Sequence, residues 1–284
     1  MRSMSMALCR ATRTMIFVGA LAAPSVHAAQ TLDEILAGAQ RDPANVARDV
    51  YRHPKQVLEF FGVKPDSTVV EVWPSGGWWV EILGPYLHDK GIYYAAGVVT
   101  TAPDTTEGQL KSQRALADKL AGNPLYDHVV LTELGVPGRT VMAPPGHVDF
   151  VLTFRNVHNW LAGGYAQDMF NAFASVLKPG GVLGVVEHRA KPGTPIEQMK
   201  KTGYMTEAYV IGLAKQAGLV LDGESQVNAN PKDTTDHPGG VWSLPPNLRT
   251  CQPLPDGPQK DACVAEYRAI GESDRMTLRF RKPL

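Results

Sequence analysis

The sequence predicts an α/β fold: a doubly wound, mostly parallel sheet of seven strands, the last of them antiparallel. Three observations carry the prediction. Between residues 68 and 227, runs rich in β-branched residues alternate with runs of helical period, the pattern of βαβ crossovers. The strand-like runs are apolar at most positions, as strands covered on both faces must be. After them, 275–282 (Arg-Met-Thr-Leu-Arg-Phe-Arg-Lys) alternates strictly, with Met276, Leu278 and Phe280 on one face. That change of pattern marks an antiparallel addition to the sheet.

The elements follow in order. A polar helical stretch leads to a helix-like run that reaches Phe60-Phe61 and breaks at Gly62 and Lys64-Pro65-Asp66. Residues 68–72 (Thr-Val-Val-Glu-Val) form the first strand and 74–77 a turn. The helix at 78–88 is bent or ended by Pro85. A second strand at 92–99 precedes a helix at 107–120, and two more strands follow at 126–131 and 148–154. In 165–177 the apolar residues Ala166, Met169, Phe170, Phe173, Val176 and Leu177 fall on one helical face. Lys178-Pro179-Gly180-Gly181 stops that helix before a strand at 182–187. A helix at 206–217, capped by Gly218, precedes a sixth strand at 219–227. The pattern lapses over 228–274, a Pro/Gly-rich insertion that reads equally as a lid or a strap. With no repeat and no linker in view, 29–284 reads as one domain.

Residues 1–28 have the marks of a secretory signal peptide. Arg2, Arg10 and Arg13 precede an apolar stretch at 15–26, and small residues follow at Ala28-Ala29. That stretch is short of the roughly 20 residues a permanent span needs. The expectation is export to the periplasm, cleavage near Ala28 and no lasting membrane anchor. Formal charge is balanced, with 28 Lys and Arg against 28 Asp and Glu, which gives nucleic acid no electrostatic footing. A small molecule is the expected partner. Beyond the leader only Cys251 and Cys263 remain, close together in a proline-rich segment. An oxidising compartment would pair them. They are too few, and lack the histidine spacing, for zinc. No nucleophile elbow, Walker loop or His-Glu-x-x-His appears, so no metal is expected.

In open parallel sheets, ligands bind beyond the carboxyl ends of the strands, where strand order reverses. Three polar strand ends meet that rule. The first strand runs into Glu71-Val72-Trp73-Pro74-Ser75-Gly76-Gly77, the fourth into Arg155-Asn156-Val157-His158-Asn159-Trp160 and the fifth into Glu187-His188-Arg189.

These ends, with Val148-Asp149-Phe150-Val151-Leu152 and Leu177-Lys178-Pro179-Gly180-Gly181, resemble class I S-adenosylmethionine-dependent methyltransferases. More narrowly, the chain resembles a family of exported bacterial proteins described as predicted methyltransferases. Segments 69–79, 152–160, 187–189, 228–233, 240–246 and 270–276 carry that likeness. It implies a Rossmann-like methyltransferase sheet and S-adenosylmethionine as cofactor. In such enzymes an acid and three alternate glycines let the backbone approach the methionine part of the cofactor. Glu71 and Gly77 match, while Trp73 and Ser75 stand where the first two glycines would be. An acid usually ends the second strand, but Ala95-Ala96-Gly97-Val98-Val99 has none; Asp104 could serve only if its loop folds back.

The resemblance gives Glu71, Trp73, Ser75, Gly76, Gly77, Arg155 and Asn156 to the cofactor side. His158 and His188 are candidates for the base that takes the acceptor's proton, because imidazole titrates near neutrality. Glu187 and Arg189 fall on one side of their strand, placed to pair or to grip a polar substrate. Asn228, Asn230, Lys232 and Asp236, with Asp274 and Arg275, could close over the strand ends. On the same residues the alternative is a non-catalytic exported binding protein whose methyltransferase fold has lost the cofactor.

Overall fold

The computed structural model describes residues 30–284, so the predicted leader lies outside the described residues. Seven strands form one sheet: β1 (Thr68–Val72), β2 (Ile92–Gly97), β3 (Val129–Glu133), β4 (Val148–Phe154), β5 (Leu177–His188), β6 (Val220–Ser225) and β7 (Arg275–Arg281). Their order is β3-β2-β1-β4-β5-β7-β6. Neighbours pair in parallel from β3 through β5, while β7 runs antiparallel to both β5 and β6. The direction of winding therefore reverses between β1 and β4, and the carboxyl ends of those two strands frame the crevice.

Helices cover both faces. The N-terminal segment folds as α1 (Leu32–Leu36), α2 (Pro43–Val46), α3 (Asp49–Arg52) and α4 (Pro54–Phe61). Along the chain follow α5 (Val80–Leu87), α6 (Glu107–Leu120), α7 (Val157–Gly163), α8 (Ala166–Val176), α9 (Ile196–Thr202), α10 (Glu207–Gln216) and α11 (Pro258–Ile270). On one face of the sheet Trp160, Met169, Phe170, Phe173 and Leu213 pack against Val151, Leu183 and Val185. On the other, Leu58, Phe61, Ile82, Leu83 and Leu116 pack against Val69 and Leu152. Burying side chains of this size on both faces is the main force that flattens helices onto the sheet.

Some predicted elements are displaced. The third strand begins at Val129, not 126, because Pro124–Tyr126 is a 3-10 turn in which the Asn123 side chain accepts from the Leu125 amide. Lys178-Pro179-Gly180-Gly181 does not separate helix from strand. It is a bulge inside β5, where pairing to β4 shifts between Val148 and Phe150, with Gly180 at φ 76°. The 228–274 segment is more ordered than its composition suggests, since it contains α11 and two 3-10 turns. Cys251 and Cys263 form a disulfide that ties the turn Arg249–Cys251 to α11.

This segment is a strap with a polar anchor. The buried Asp233 carboxylate accepts from Tyr204 Oη (2.9 Å), the Thr235 amide (2.9 Å), the Asp274 amide (2.8 Å) and His237 Nε2 (2.9 Å). Next along the chain, Gly240 lies at φ 59°, and a Cβ there would sit 2.3 Å from the Thr202 carbonyl oxygen. Only glycine allows that approach. Gly240→Ala is expected to cost about 2 kcal/mol and to loosen the neighbouring Trp242. Thermal melting and Trp242 emission check this; unchanged melting and emission would contradict a glycine-dependent docking of the strap.

Candidate functional site

The site grows from the backbone at the ends of β1 and β4. Trp73, Ser75 and Gly77 have φ values of 50°, 51° and 78°, and Arg155 has 61°. A left-handed conformation is ordinary for glycine but costs a tryptophan, serine or arginine of order 1 kcal/mol or more. The loop after β1 thus holds at Trp73 and Ser75 a backbone shape that glycine adopts most easily. Trp73 is held there by its amide on the Ala96 carbonyl (2.8 Å) and its indole N–H on the Leu134 carbonyl (3.0 Å), with its ring edge-on to Trp160. The indole therefore lies across the sheet ends as a wall and does not fill the crevice.

Space remains on both sides of that wall. One cavity of about 420 Å³ lies between the ends of β2 and β3, lined by Trp73, Val98, Asp104, Leu134 and Tyr165. A second, of about 530 Å³, is lined by Trp73, Ser75, Asp104, Gln109, Asn156 and Tyr165. The loop after β2 does fold back, and it carries Asp104 into both. Asn156 braces this region from below, donating to the Val72 carbonyl at 3.0 Å.

A third cavity, about 200 Å³, lies on the far side of Ser75 under the strap, with Arg155, His158, His188, Trp242 and Ser273 in its wall. Beneath it, Glu187 is fully buried. Its Oε2 accepts the Val157 and His158 amides at the start of α7 (2.6 and 3.3 Å), and its Oε1 accepts the His188 amide (2.8 Å) and His158 Nδ1 (3.1 Å). The His158–Glu187 contact requires the Nδ1–H tautomer, so Nε2, which has no protein partner among the described residues, becomes the basic nitrogen. His158, Glu187 and His188 each place a ligand-type atom within 4.8 Å of the others. Four N–H donors already fill the Glu187 oxygens, however, which leaves that carboxylate no lone pair for an ion. His188 Nδ1 lies 2.5 Å from Ser273 Oγ. Burial first, then His158, Arg155, Arg275 and Arg52, holds His188 well below the usual imidazole range, so its ring is neutral near pH 7.

A fourth cavity of about 190 Å³ continues past Arg155 and is lined by Arg48, Arg52, Glu71, Gly76 and Trp78. Burial pushes the Glu71 carboxyl up to about 8 although Tyr93 donates a short hydrogen bond to it.

The strand-end residues are thus largely brought together. Gly77 serves from beneath, where a Cβ would meet Leu116 Cδ1 at 2.9 Å. Arg189 does not join them: beyond the end of β5 it turns away to Asp274 (2.7 and 2.8 Å), Glu207 and Gln226. Of the polar residues after β6, Asn228 and Asn230 are spent on Thr277 and on the Ile270 and Glu272 carbonyls. Arg48, Arg52, Gln109, Tyr165, Glu272 and Ser273 carried no strand-end signal and come from helices or the strap.

Comparison with solved structures gives this arrangement a context. A proposed sarcosine dimethylglycine methyltransferase from Galdieria sulphuraria is 14% identical, covering 86% of this chain and 91% of its own, with TM-score 0.55. The [4+2]-cyclase SpnF is 17% identical, covering 89% of this chain and 92% of its own, with TM-score 0.54. The chain has the Rossmann-like methyltransferase fold. No protein-family model matches it, and no curated protein matches it in sequence. The methyltransferase fold carries a cyclase as well as methyltransferases, so the reaction has to be argued from side chains.

Glu71 gives the site a pH signature. Its carboxyl lies at about 8 in the fold against an ordinary 4.5, so folding favours the protonated acid. The associated stability is complete below about pH 4.5 and is lost as pH rises through about 8. Glu71→Gln is expected to remove this fall, on the order of a few kcal/mol. Denaturant midpoints of parent and variant should diverge between about pH 5 and about pH 8.5, with the variant the more stable at the alkaline end.

Proposed function

We propose that the protein is an exported methyltransferase. In this reading S-adenosylmethionine binds in the two cavities at the ends of β1, β2 and β3, and a small acceptor binds in the cavity under the strap. One observation carries it: Trp73, Ser75 and Gly77 hold the alternating left-handed backbone of a cofactor-binding glycine loop, although two of the three are residues for which that shape is strained. The residues also fit such a ligand. The Gly76 position faces open space, Asp104 is where a ribose acid is wanted, and the cavities of about 420 and 530 Å³ match the usual size of cofactor pockets. Ser75, Asn156 and Asn159 line both the larger of these and the cavity under the strap, so donor and acceptor would meet there.

The bound cofactor would supply an activated methyl group on a sulfonium. The chain's own residues do the rest. Ser75 and Asn156 stand at the junction to align the partners. His158 Nε2 takes the acceptor's proton, and Glu187 fixes the ring's tautomer and stabilises its charge. Neutral His188, bonded to Ser273, orients the acceptor. The basic and apolar leader pattern of residues 1–28 supports a periplasmic site of action, with 29–284 read as one unit. Trp73 favours a second reading, a binding protein that has given up the cofactor, because its indole stands where ligand backbone contact is usual.

Titration calorimetry with S-adenosylmethionine and S-adenosylhomocysteine separates the two. Micromolar binding is expected, and exposed Asp104→Ala should weaken it about tenfold without changing the melting temperature. Absence of binding even at millimolar ligand would sink the methyltransferase reading. Once an acceptor is found, His158→Ala should lower kcat by roughly 10²–10⁴ with cofactor affinity intact.

A further inference from the structure

Around Glu272 the structure collects more positive charge than it neutralises. Arg48 Nε donates to Glu272 Oε1 at 2.6 Å, and Arg52 Nε lies 3.2 Å from Oε2. Arg275 Nη1 is also 3.2 Å from Oε2, while its Nη2 donates to the Tyr51 carbonyl. Arg155 completes the group across the cavity. Four guanidinium groups thus face one carboxylate.

The surrounding acids do not make up the difference. Asp274 is held by Arg189, and Asp49 by Arg41. Glu187 offsets part of the Arg155 charge, but its oxygens are filled by N–H donors of its own and it ion-pairs with none of the four arginines. Glu71, raised to about 8, is protonated through the neutral range.

Donors are also left over in the same cluster. Arg52 is 4% exposed, yet its Nη2 has no hydrogen-bond partner, and Arg48 Nη2 is likewise buried and unpartnered. The Arg155 guanidinium makes no side-chain hydrogen bond among the described residues, although it lines the cavity under the strap and the cavity beside Arg48 and Arg52. Its backbone lies at φ 61°, a conformation strained for arginine. Arg52 gains some stabilisation by stacking on Trp78 at 4.7 Å, but a buried guanidinium N–H left without an acceptor still costs free energy. Planar guanidinium forks are the side chains best suited to a carboxylate or phosphate.

We infer that Arg48, Arg52 and Arg155 form an oxyanion site that holds the carboxylate or phosphate of a small acidic ligand, with Glu272 and Arg275 fixing the two helical arginines in place. The site lies one residue from the cavity that His158 lines. It rests on the proposed function only for the claim that this ligand is the methyl acceptor; the anion site itself does not require the cofactor.

Thermal melting and calorimetry on the purified protein without S-adenosylmethionine test it, using inorganic phosphate, acetate and succinate against chloride at constant ionic strength. Saturable binding of phosphate or of a carboxylate, with a raised melting temperature, is expected, and the class that binds identifies the headgroup. Arg155→Gln should weaken that binding about tenfold or more while melting no lower than the parent in chloride, since it relieves repulsion. If Arg155→Gln does not fold, Arg155→Lys carries the same test, because one ammonium cannot replace the fork. Binding of none of these anions beyond chloride, or unchanged affinity in the Arg155 variant, would overturn the proposal. Loss of cofactor binding with anion binding intact would remove only the methyltransferase reading.

Discussion

Much of the molecule is organised around one carboxylate, Glu272, set among arginines that arrive from distant parts of the chain. Arg48 and Arg52 are 224 and 220 residues away in sequence, while Arg275 lies on the adjoining strand. Burial alone would raise the Glu272 carboxyl, but Arg275, Arg52, Arg155 and Arg48 outweigh it and hold it at about 2. Desolvating such a group is expensive, and it persists only where several donors surround it. The consequence is architectural. The helices before β1 are locked to the strap and to β7, and the crevice at the ends of β1 and β4 gains a wall that the sheet itself could not provide.

That crevice departs from local conformational preference in a concentrated way. Trp73, Ser75 and Arg155 all hold left-handed backbone within the ends of adjacent strands, and unpartnered guanidinium atoms lie close by. Many elements elsewhere follow local preference: Thr31, Thr106 and Thr206 cap helices with their side chains, and proline opens α2, α4 and α11. Three of the six non-glycine residues with left-handed backbone among the described residues sit at these strand ends, the others being His53, Thr235 and Leu248, and strain gathered where strand ends meet is a mark of functional sites.

The contrast explains what could be read from the sequence. Apolar runs specify strands and period-3.6 stripes specify helices, so β1, β4, α6 and α8 emerge within a residue or two of their positions, and β7 announces its direction by alternating. Ends governed by turn chemistry drift, as at Asn123-Pro124, and a glycine-rich stretch such as 178–181 does not reveal whether it breaks a strand or bulges it. The strand-end rule finds Ser75, Arg155, Asn156, His158 and His188 because sheet topology alone gathers them. It cannot find Arg48, Arg52 or Glu272, whose meeting depends on how the N-terminal helices and the strap fold back across the sheet. Arg189 misleads for the same reason, because its partner Asp274 lies in a segment whose path no periodicity describes.

The place of β7 has a bearing on how the molecule is made. The sheet's second half is not complete until residues 275–281 slot between β5 and β6, so β6 has no strand partner in the sheet without β7. Until β7 is in place the edge of β5 stays open, and pairing over so long a stretch of chain is slow to form. Two strands thus share one keystone, and whatever loosens β7 unpairs β6 and bares the edge of β5 together.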